Sequence, residues 1–465
     1  MLLERFEVKG LAHYSYALGC TDSRKLVFID PKRDIDTYLD FARQAGYAIA
    51  GVLETHIHAD FASGARQLAH DAAAPLHVSA YDQGETFEVR HPHFDLRDGQ
   101  RIELGKLRIT AMHTPGHTPE HVSFLVAREG DAAPVAMFSG DFLFVGSVGR
   151  PDLLGEGATL SLADALYRSV QTMLAKLPDS LAVYPAHGAG SLCGAGMAGA
   201  ASSTLGQERL SNPYLEPGLS RETFVERLLG STPPFPPYYR RMKRLNADGP
   251  PALEPDLGQR AIAPEEFSAL VESGYTVIDL RGQADFGAGH ISGAFGIGLG
   301  NLLSVWSSWV VPYETPLLLV TPDPSMLDDA VRCLTRVGLD DVRGYLEGGI
   351  AAWVSKGLAT RKLPQTPPQQ LFARIQSAED VRVLDVRSAA EFASGHIQGA
   401  VNILVGELPQ RVAEAPRDAD LLAITCGGGY RSTVAASILE RAGFTNVANV
   451  PGGMGAWRQC GLPVV

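Results

Sequence analysis

Four short clusters of histidine and aspartate stand out in the first half of the chain. They are Thr55-His56-Ile57-His58-Ala59-Asp60, His113-Thr114-Pro115-Gly116-His117-Thr118, Ser139-Gly140-Asp141 and Tyr184-Pro185-Ala186-His187-Gly188. Imidazole and carboxylate groups are ligands for first-row divalent metals. Ten of the thirteen histidines lie between His56 and His187, so metal-type chemistry is expected of this part of the chain. Near the C-terminus stands a different pattern, Cys426-Gly427-Gly428-Gly429-Tyr430-Arg431-Ser432. Three glycines let the backbone curl so that its N–H groups point at one sulfur, and a following helix adds its positive end. Both effects favour a thiolate, and Arg431 adds a permanent charge.

Such groups need rigid supports, and the sequence supplies them. Apolar patterning predicts strands over 25–30, 49–54, 75–78, 107–112, 121–126, 135–139 and 181–185, with helices over 35–44 and 63–73. Each histidine or aspartate cluster follows one of these strands. Strand ends hold side chains firmly, and several such ends converge on one rim of a sheet sandwich. In the same way an apolar strand over 421–425 ends at Cys426, and a helical spacing follows from Val434 to Leu439.

The rest of the chain bounds the answer. Its 465 residues suit two to four domains; 45% are apolar and 20% charged, which is enough for packed cores. A formal charge of −12 counts against nucleic acid as the main partner. Five scattered cysteines (Cys20, Cys193, Cys333, Cys426, Cys460) read as free thiols of a reducing compartment. Neither a secretory signal nor a membrane helix is evident, so a soluble, cytoplasmic protein is expected, with no membrane partner.

Proline-rich passages at 232–239 and 248–251 mark a boundary, and 363–368 marks a second. The segments after them repeat. Val277-Ile278-Asp279-Leu280-Arg281 answers Val383-Leu384-Asp385-Val386-Arg387, and Gly289-His290-Ile291 answers Gly395-His396-Ile397, at an offset of 106. Gly348-Gly349 to Trp353 answers Gly452-Gly453 to Trp457 at an offset of 104. Alternation of strand and helix in each copy implies parallel sheets with helices on both faces. The expected domains are 1–247, 258–363 and 370–465.

The four clusters together resemble the metallo-β-lactamase superfamily, whose αββα sandwich binds metal at such a rim. In its dinuclear hydrolases the first motif is His-x-His-x-Asp-His, and here Phe61 stands in the last place. A second metal would lack that ligand. With His117-Thr118-Pro119-Glu120-His121, Gly140-Asp141-Phe142-Leu143-Phe144 and Gly149-Arg150-Pro151-Asp152-Leu153, the chain looks like the persulfide dioxygenases. Their iron is held by two histidines and one aspartate. The resemblance implies one mononuclear Fe(II) per chain on His56, His117 and Asp141, with His58, Asp60 and His187 around those ligands. It also implies oxidation of a low-molecular-weight thiol persulfide by O2, giving thiol and sulfite. Arg150, Tyr184 and Cys193 are candidates for touching substrate. Arg150 suits equally a salt bridge with Asp152, and Cys193 suits a small buried thiol.

The Cys-x4-Arg loop after a strand resembles the rhodanese sulfurtransferases, in which a cysteine carries persulfide sulfur. Tyrosine-phosphatase-type loops have five residues between Cys and Arg. Cys426 and Arg431 are then catalytic, Gly427, Gly428, Gly429 and Tyr430 form the cradle, and Asp385, Arg387 and His396 are scaffold. The first copy has Pro322 where Cys426 stands, so it is expected to be inactive. In order, the parts resemble bacterial persulfide dioxygenase–rhodanese fusions of sulfide detoxification. The resemblance implies a multidomain α/β chain: a metallo-β-lactamase sandwich, then two rhodanese-like domains with parallel sheets. Sulfite would leave as thiosulfate after accepting sulfur from Cys426. Two other readings stay open: a dinuclear thioester hydrolase of the glyoxalase II type, and a sulfur relay with an inert metal site. The thiol that carries the persulfide, the direction of sulfur flow and homo-oligomerisation also stay open.

Overall fold

A computed structural model covering residues 1–465 divides into two units, Met1–Ala252 with Thr335–Gly338, and Leu253–Leu334 with Leu339–Val465. The first unit follows from its strand patterning. Strands Leu2–Val8, His13–Cys20, Lys25–Ile29, Ala48–Leu53, Leu76–Ser79 and Phe94–Leu96 lie side by side in that order. The first three pair antiparallel and the last four pair parallel. A second six-stranded sheet runs Ser203–Thr204, Ala182–Pro185, Ala136–Gly140, Val122–Arg128, Leu107–His113 and Arg101–Leu104.

Three apolar layers hold these sheets. Tyr16, Leu18, Val27 and Leu53 of the first sheet pack with Ile109, Phe124, Val126 and Phe138 of the second. Helices Asp36–Ala45 and Ala65–Asp71 cover the outer face of the first sheet through Tyr38, Ala42, Ala65 and Leu68. Helices Glu156–Met173 and Arg221–Ser231 cover the second through Leu166, Val170, Phe224 and Leu228. This is the αββα sandwich expected from the sequence. A sheet with one apolar face toward another sheet and one toward helices has no other way to dry both faces.

Two local elements differ from expectation. The helix expected over 63–73 spans Ala65–Asp71, because the Ser63 hydroxyl accepts the Ala65 N–H at 2.9 Å and fixes the entry. The proline-rich boundary contains a helix, Tyr239–Asp248, with prolines on either side and none within. Its buried side, Tyr239, Met242, Lys243 and Asn246, packs within the first unit.

The second unit contains two wholly parallel sheets, as expected. One orders Ala261–Ile262, Val342–Leu346, Leu317–Val320, Thr276–Asp279 and Phe295–Gly296; the other orders Val401–Asn402, Val381–Asp385, Leu421–Thr425 and Val447–Asn449. The repeated residues do the same work in both. Arg281 grips Asp279 (2.9 and 2.6 Å) and donates to the Gly289 carbonyl at 2.7 Å. Arg387 grips Asp385 (2.9 and 2.6 Å) and donates to the Gly395 carbonyl at 3.0 Å. His290 and His396 stack on Phe286 and Phe392 at 3.9 and 3.6 Å. No helix of the chain is long and apolar enough to cross a membrane.

Candidate metal centre and sulfur-transfer loop

The loop after strand Ala48–Leu53 is anchored before it reaches its histidines. Asp30 accepts the Thr55 N–H at 2.7 Å and the Thr55 hydroxyl proton at 2.9 Å. Having spent its proton there, the Thr55 oxygen accepts from His56 Nδ1, 3.0 Å away. His117 Nδ1 donates to the Arg150 carbonyl at 2.8 Å. Both imidazoles therefore turn an unprotonated Nε2 inward, the form that binds metal. Burial, together with neighbouring histidines, holds the pKa of His56 and of His117 far below the ordinary histidine value.

Asp141 completes the set. Its Oδ1 accepts from His187 Nδ1 at 2.7 Å, and its backbone N–H donates to His121 Nε2 at 3.0 Å. The other oxygen, Oδ2, lies 3.3 Å from His117 Nε2 and 3.9 Å from His56 Nε2. None of these three atoms has a hydrogen-bond partner, although all are buried. Leaving such atoms bare costs about 1–3 kcal/mol each. Ligands bonded to one ion at about 2.1 Å stand roughly 3 Å apart, close to what is seen. His56, His117 and Asp141 thus fit a single divalent ion. Gly149 is required here, since a Cβ on it would collide with the Asp141 carbonyl and lie 2.9 Å from His117 Nδ1.

A second group, Asp60, His187 and Cys193, also has its ligand atoms close together. Unlike the first, it is largely closed by its own hydrogen bonds. His187 Nε2 binds Asp60 Oδ2 at 2.8 Å while Nδ1 binds Asp141. Burial opposes a charge on His187, but the Asp141 and Asp60 carboxylates outweigh it and raise its pKa well above the usual value. Burial, then Asp60, pushes the Cys193 thiol up to about 12. Phe61, where a two-metal centre has histidine, packs between His13 and His58 at ring distances of 3.9 and 4.4 Å. His58 Nε2 is held by Asp30 Oδ1 at 3.1 Å.

The candidate substrate contacts are placed as follows. Arg150 is buried and uses Nε, Nη1 and Nη2 on Asp152 (2.6 and 2.8 Å) and on the carbonyls of Leu192, Pro233 and Pro234. Of its two readings, the structural one is drawn. Tyr184 stacks on Phe138 at 5.4 Å within the inter-sheet core, a packing role. Cys193 lies beside the centre, its sulfur 3.8 Å from the Tyr239 hydroxyl.

Sequence reasoning missed several supports. His121 stacks on His56 at 5.1 Å and donates through Nδ1 to Thr114. Asn246 donates to the carbonyls of His58 and Phe61 and accepts from Ser63 N–H, each at 2.8 Å. Lys243 donates to the Ile57 carbonyl at 2.9 Å, and Glu120 accepts the Ile57 N–H at 3.1 Å. Lys243 and Asn246 sit three apart on one helix face. That spacing was visible in the sequence, but the flanking prolines concealed the helix. His13 is wholly buried with both ring nitrogens unpartnered, and nothing in its neighbours' sequence marks it.

In the second unit, strand Leu421–Thr425 delivers Cys426 to a loop ahead of helix Tyr430–Arg441. Gly429 N–H donates to Cys426 Sγ at 3.1 Å, and Ser432 Oγ lies 3.4 Å from that sulfur. Gly429 has φ +97°, which a side chain would strain. Arg431 does not point freely at the sulfur; both its terminal nitrogens bind Glu391 at 2.7 Å. The Arg431 bond leads a set of interactions that outweigh partial burial and hold Glu391 at about 2. Tyr430 donates its hydroxyl to the Gly298 carbonyl of the first copy at 2.7 Å. In that first copy, Pro322 leads instead into a turn in which Asp323 accepts the Ser325 N–H at 2.9 Å.

Comparison with known proteins finds two kinds of domain in the chain. The metallo-beta-lactamase superfamily model matches residues 9–187, and the rhodanese-like domain model matches 263–356 and 368–460. Over 231 residues the chain is 30% identical to the mitochondrial persulfide dioxygenase ETHE1 of Bos taurus, covering 49% of this chain and 79% of that one. This chain belongs to the metallo-beta-lactamase superfamily, fused to two rhodanese-like domains. The persulfide-dioxygenase resemblance of its first part therefore holds. A hydroxyacylglutathione hydrolase of Polaromonas is 31% identical over 198 residues, 40% of this chain and 66% of that one. A solved metallo-beta-lactamase from Staphylococcus aureus superposes with TM-score 0.67 at 32% identity, covering 74% of this chain and 98% of that one. The metallo-beta-lactamase fold implies a metal centre, and sulfur metabolism is the shared ground of the dioxygenase relative and the rhodanese-like domains.

Proposed function

We propose that the chain is a bifunctional persulfide dioxygenase and sulfurtransferase. One mononuclear Fe(II) would be held by His56, His117 and Asp141. The observation that carries this reading is the contrast between two clusters: three bare, converging ligand atoms in one, and a mostly closed hydrogen-bonded set in the other. Two imidazoles and a carboxylate with open positions suit non-haem Fe(II). Such an iron supplies the electrons and binding positions for O2 chemistry. The overall reaction is R–S–SH + O2 + H2O → R–SH + SO3²⁻ + 2 H⁺.

The chain's own residues orient and protect. Thr55 and the Arg150 carbonyl fix the two imidazole tautomers, and His187 holds Asp141 with one oxygen inward. At the second site, a persulfide transfers its outer sulfur to Cys426, releasing R–SH. Sulfite then attacks that outer sulfur, the S–S bond to Cys426 breaks, and thiosulfate leaves with the cysteine restored as thiolate. The Gly429 N–H steadies that thiolate. The test is anaerobic iron loading, then O2 uptake with a panel of low-molecular-weight thiol persulfides while sulfite and thiosulfate are quantified.

A second reading has one observation in its favour. The Asp60, His187 and Cys193 atoms are close enough to hold another ion, as a dinuclear thioester hydrolase requires. Two metal ions per chain and cleavage of a glutathione thioester would support it; one iron and no thioester cleavage would exclude it.

A further inference from the structure

The first rhodanese-like copy has no cysteine at its loop, yet it reaches the loop of the second. The two copies are joined by His290 and Glu440 (2.9 Å) and by Arg441 on the Gly293 carbonyl. Two consecutive residues around Cys426 are covered by the first copy. Tyr430 is tied to Gly298, and the side chain of Gln283 lies over Gly429, where a built Cβ would stand only 2.7 Å from its Oε1. Gly429 is the residue whose N–H reaches Cys426 Sγ. Cys426 itself is 1% exposed, and these covering groups stand at the rim of its loop.

The donors at this loop are unequally free. Arg431, the charge that would be expected to receive an anion, is bound at both terminal nitrogens by Glu391. The Ser432 hydroxyl donates to the Gly429 carbonyl at 2.9 Å. The half-buried Gln283 carboxamide has no hydrogen-bond partner in the chain. At the equivalent place in the second copy, 106 residues on, stands Ala389, whose methyl has no polar atom to offer. A long amide thus stands in the cysteine-less copy beside the other copy's loop.

We infer that Gln283 of the cysteine-less copy is a substrate-binding residue of the Cys426 site, taking the oxyanion end of thiosulfate or sulfite. Oε1 is the end of the amide nearest Gly429; rotation about the last side-chain torsion brings the NH2 group there to donate to a sulfonate oxygen, while the sulfane sulfur lies toward Cys426. The Cys426 thiolate attacks the outer sulfur of thiosulfate, the S–S bond of thiosulfate breaks, and sulfite leaves with the electron pair. The reverse step makes thiosulfate. In this way the first copy completes the site of the second. The inference rests on the sulfur-transfer role proposed for Cys426.

The test is steady-state transfer from thiosulfate to cyanide by the full chain, with KM measured for each. Cyanide has no oxyanion and serves as the internal control. Gln283→Ala should raise KM for thiosulfate about tenfold, the worth of one hydrogen bond to a charged group, and leave KM for cyanide unchanged. Gln283→Glu, which places a negative charge against the oxyanion, should raise it further. Wild-type KM for thiosulfate in both variants, or an equal change for thiosulfate and cyanide, would overturn the inference. Cys426→Ser keeps the two readings apart: transfer surviving in that variant sinks the sulfur-transfer role itself, whereas transfer lost there but indifferent to Gln283 sinks only this inference.

Discussion

His117 gives its Nδ1 proton to the carbonyl of Arg150, 2.8 Å away, and so keeps Nε2 bare toward Asp141 Oδ2. The arginine matters to the metal centre through its backbone, while its guanidinium braces Asp152 and three carbonyls. A ligand's tautomer is set from outside the ligand set. Several consequences can be measured.

Replacing His56, His117 or Asp141 by Ala should remove iron and O2 uptake together, because each would supply one of three protein bonds. His58→Ala should keep most of the iron, since His58 Nε2 is engaged with Asp30. Metal content by atomic emission, alongside O2 uptake, separates the two groups of variants. Equal loss of metal in His58→Ala and His117→Ala would contradict the assignment.

Asn246→Ala removes three hydrogen bonds that fix the backbone between His58 and Ser63. Partners bonded directly to a metal ligand typically carry about 10–100-fold in affinity, and Asn246 acts one step further out, through the backbone after His56. Iron affinity by chelator competition should fall by about tenfold or less, with the variant still folded by circular dichroism. Unchanged affinity would show that the loop holds its shape without the helix Tyr239–Asp248.

The candidate group His56, His117 and Asp141 was legible in the sequence because these residues follow strands, where the neighbouring residues announce them. The rhodanese-like scaffold was legible for a related reason: Asp279 with Arg281, and Asp385 with Arg387, are local pairs that recur. What could not be read were pairings across long separations. Arg431 meets Glu391 forty residues away, and a lone arginine in a loop reads as a free charge. Arg150 is saturated by the carbonyls of Leu192, Pro233 and Pro234, and carbonyls carry no residue signature. Phe61 stands out in the sequence as a missing ligand, but its packing against buried His13 had no counterpart in the local pattern.

The Glu391–Arg431 pair gives a pH dependence of definite sign. Pairing depresses the Glu391 carboxyl to about 2 in the folded chain. Its stabilisation is complete above the ordinary carboxylate range and is lost as pH falls toward 2. Because the pair is partly exposed, its worth is about 1 kcal/mol or less. The stability difference between wild type and Glu391→Gln, from urea unfolding, should therefore shrink between pH 6 and pH 3 (roughly the titration span of such a carboxyl). A difference that grows on acidification would contradict the pairing.

Cys426→Ser should leave O2 uptake in place and change the product. With persulfide in excess, wild type should accumulate thiosulfate and the variant sulfite, as measured by ion chromatography. Pro322→Cys should not restore transfer in the variant, because the Asp323 turn offers no glycine loop around the new sulfur. Equal sulfite from both proteins, with no thiosulfate, would mean that Cys426 supplies sulfur to the iron site instead.

The most direct measurement is the metal stoichiometry of anaerobically loaded protein combined with its O2 uptake on adding a thiol persulfide. One iron per chain, with one O2 consumed for each persulfide sulfur oxidised to sulfite, is the expected result. Two metal ions per chain, or iron-loaded protein that consumes no O2 with any persulfide while cleaving a thioester, would contradict the mononuclear dioxygenase.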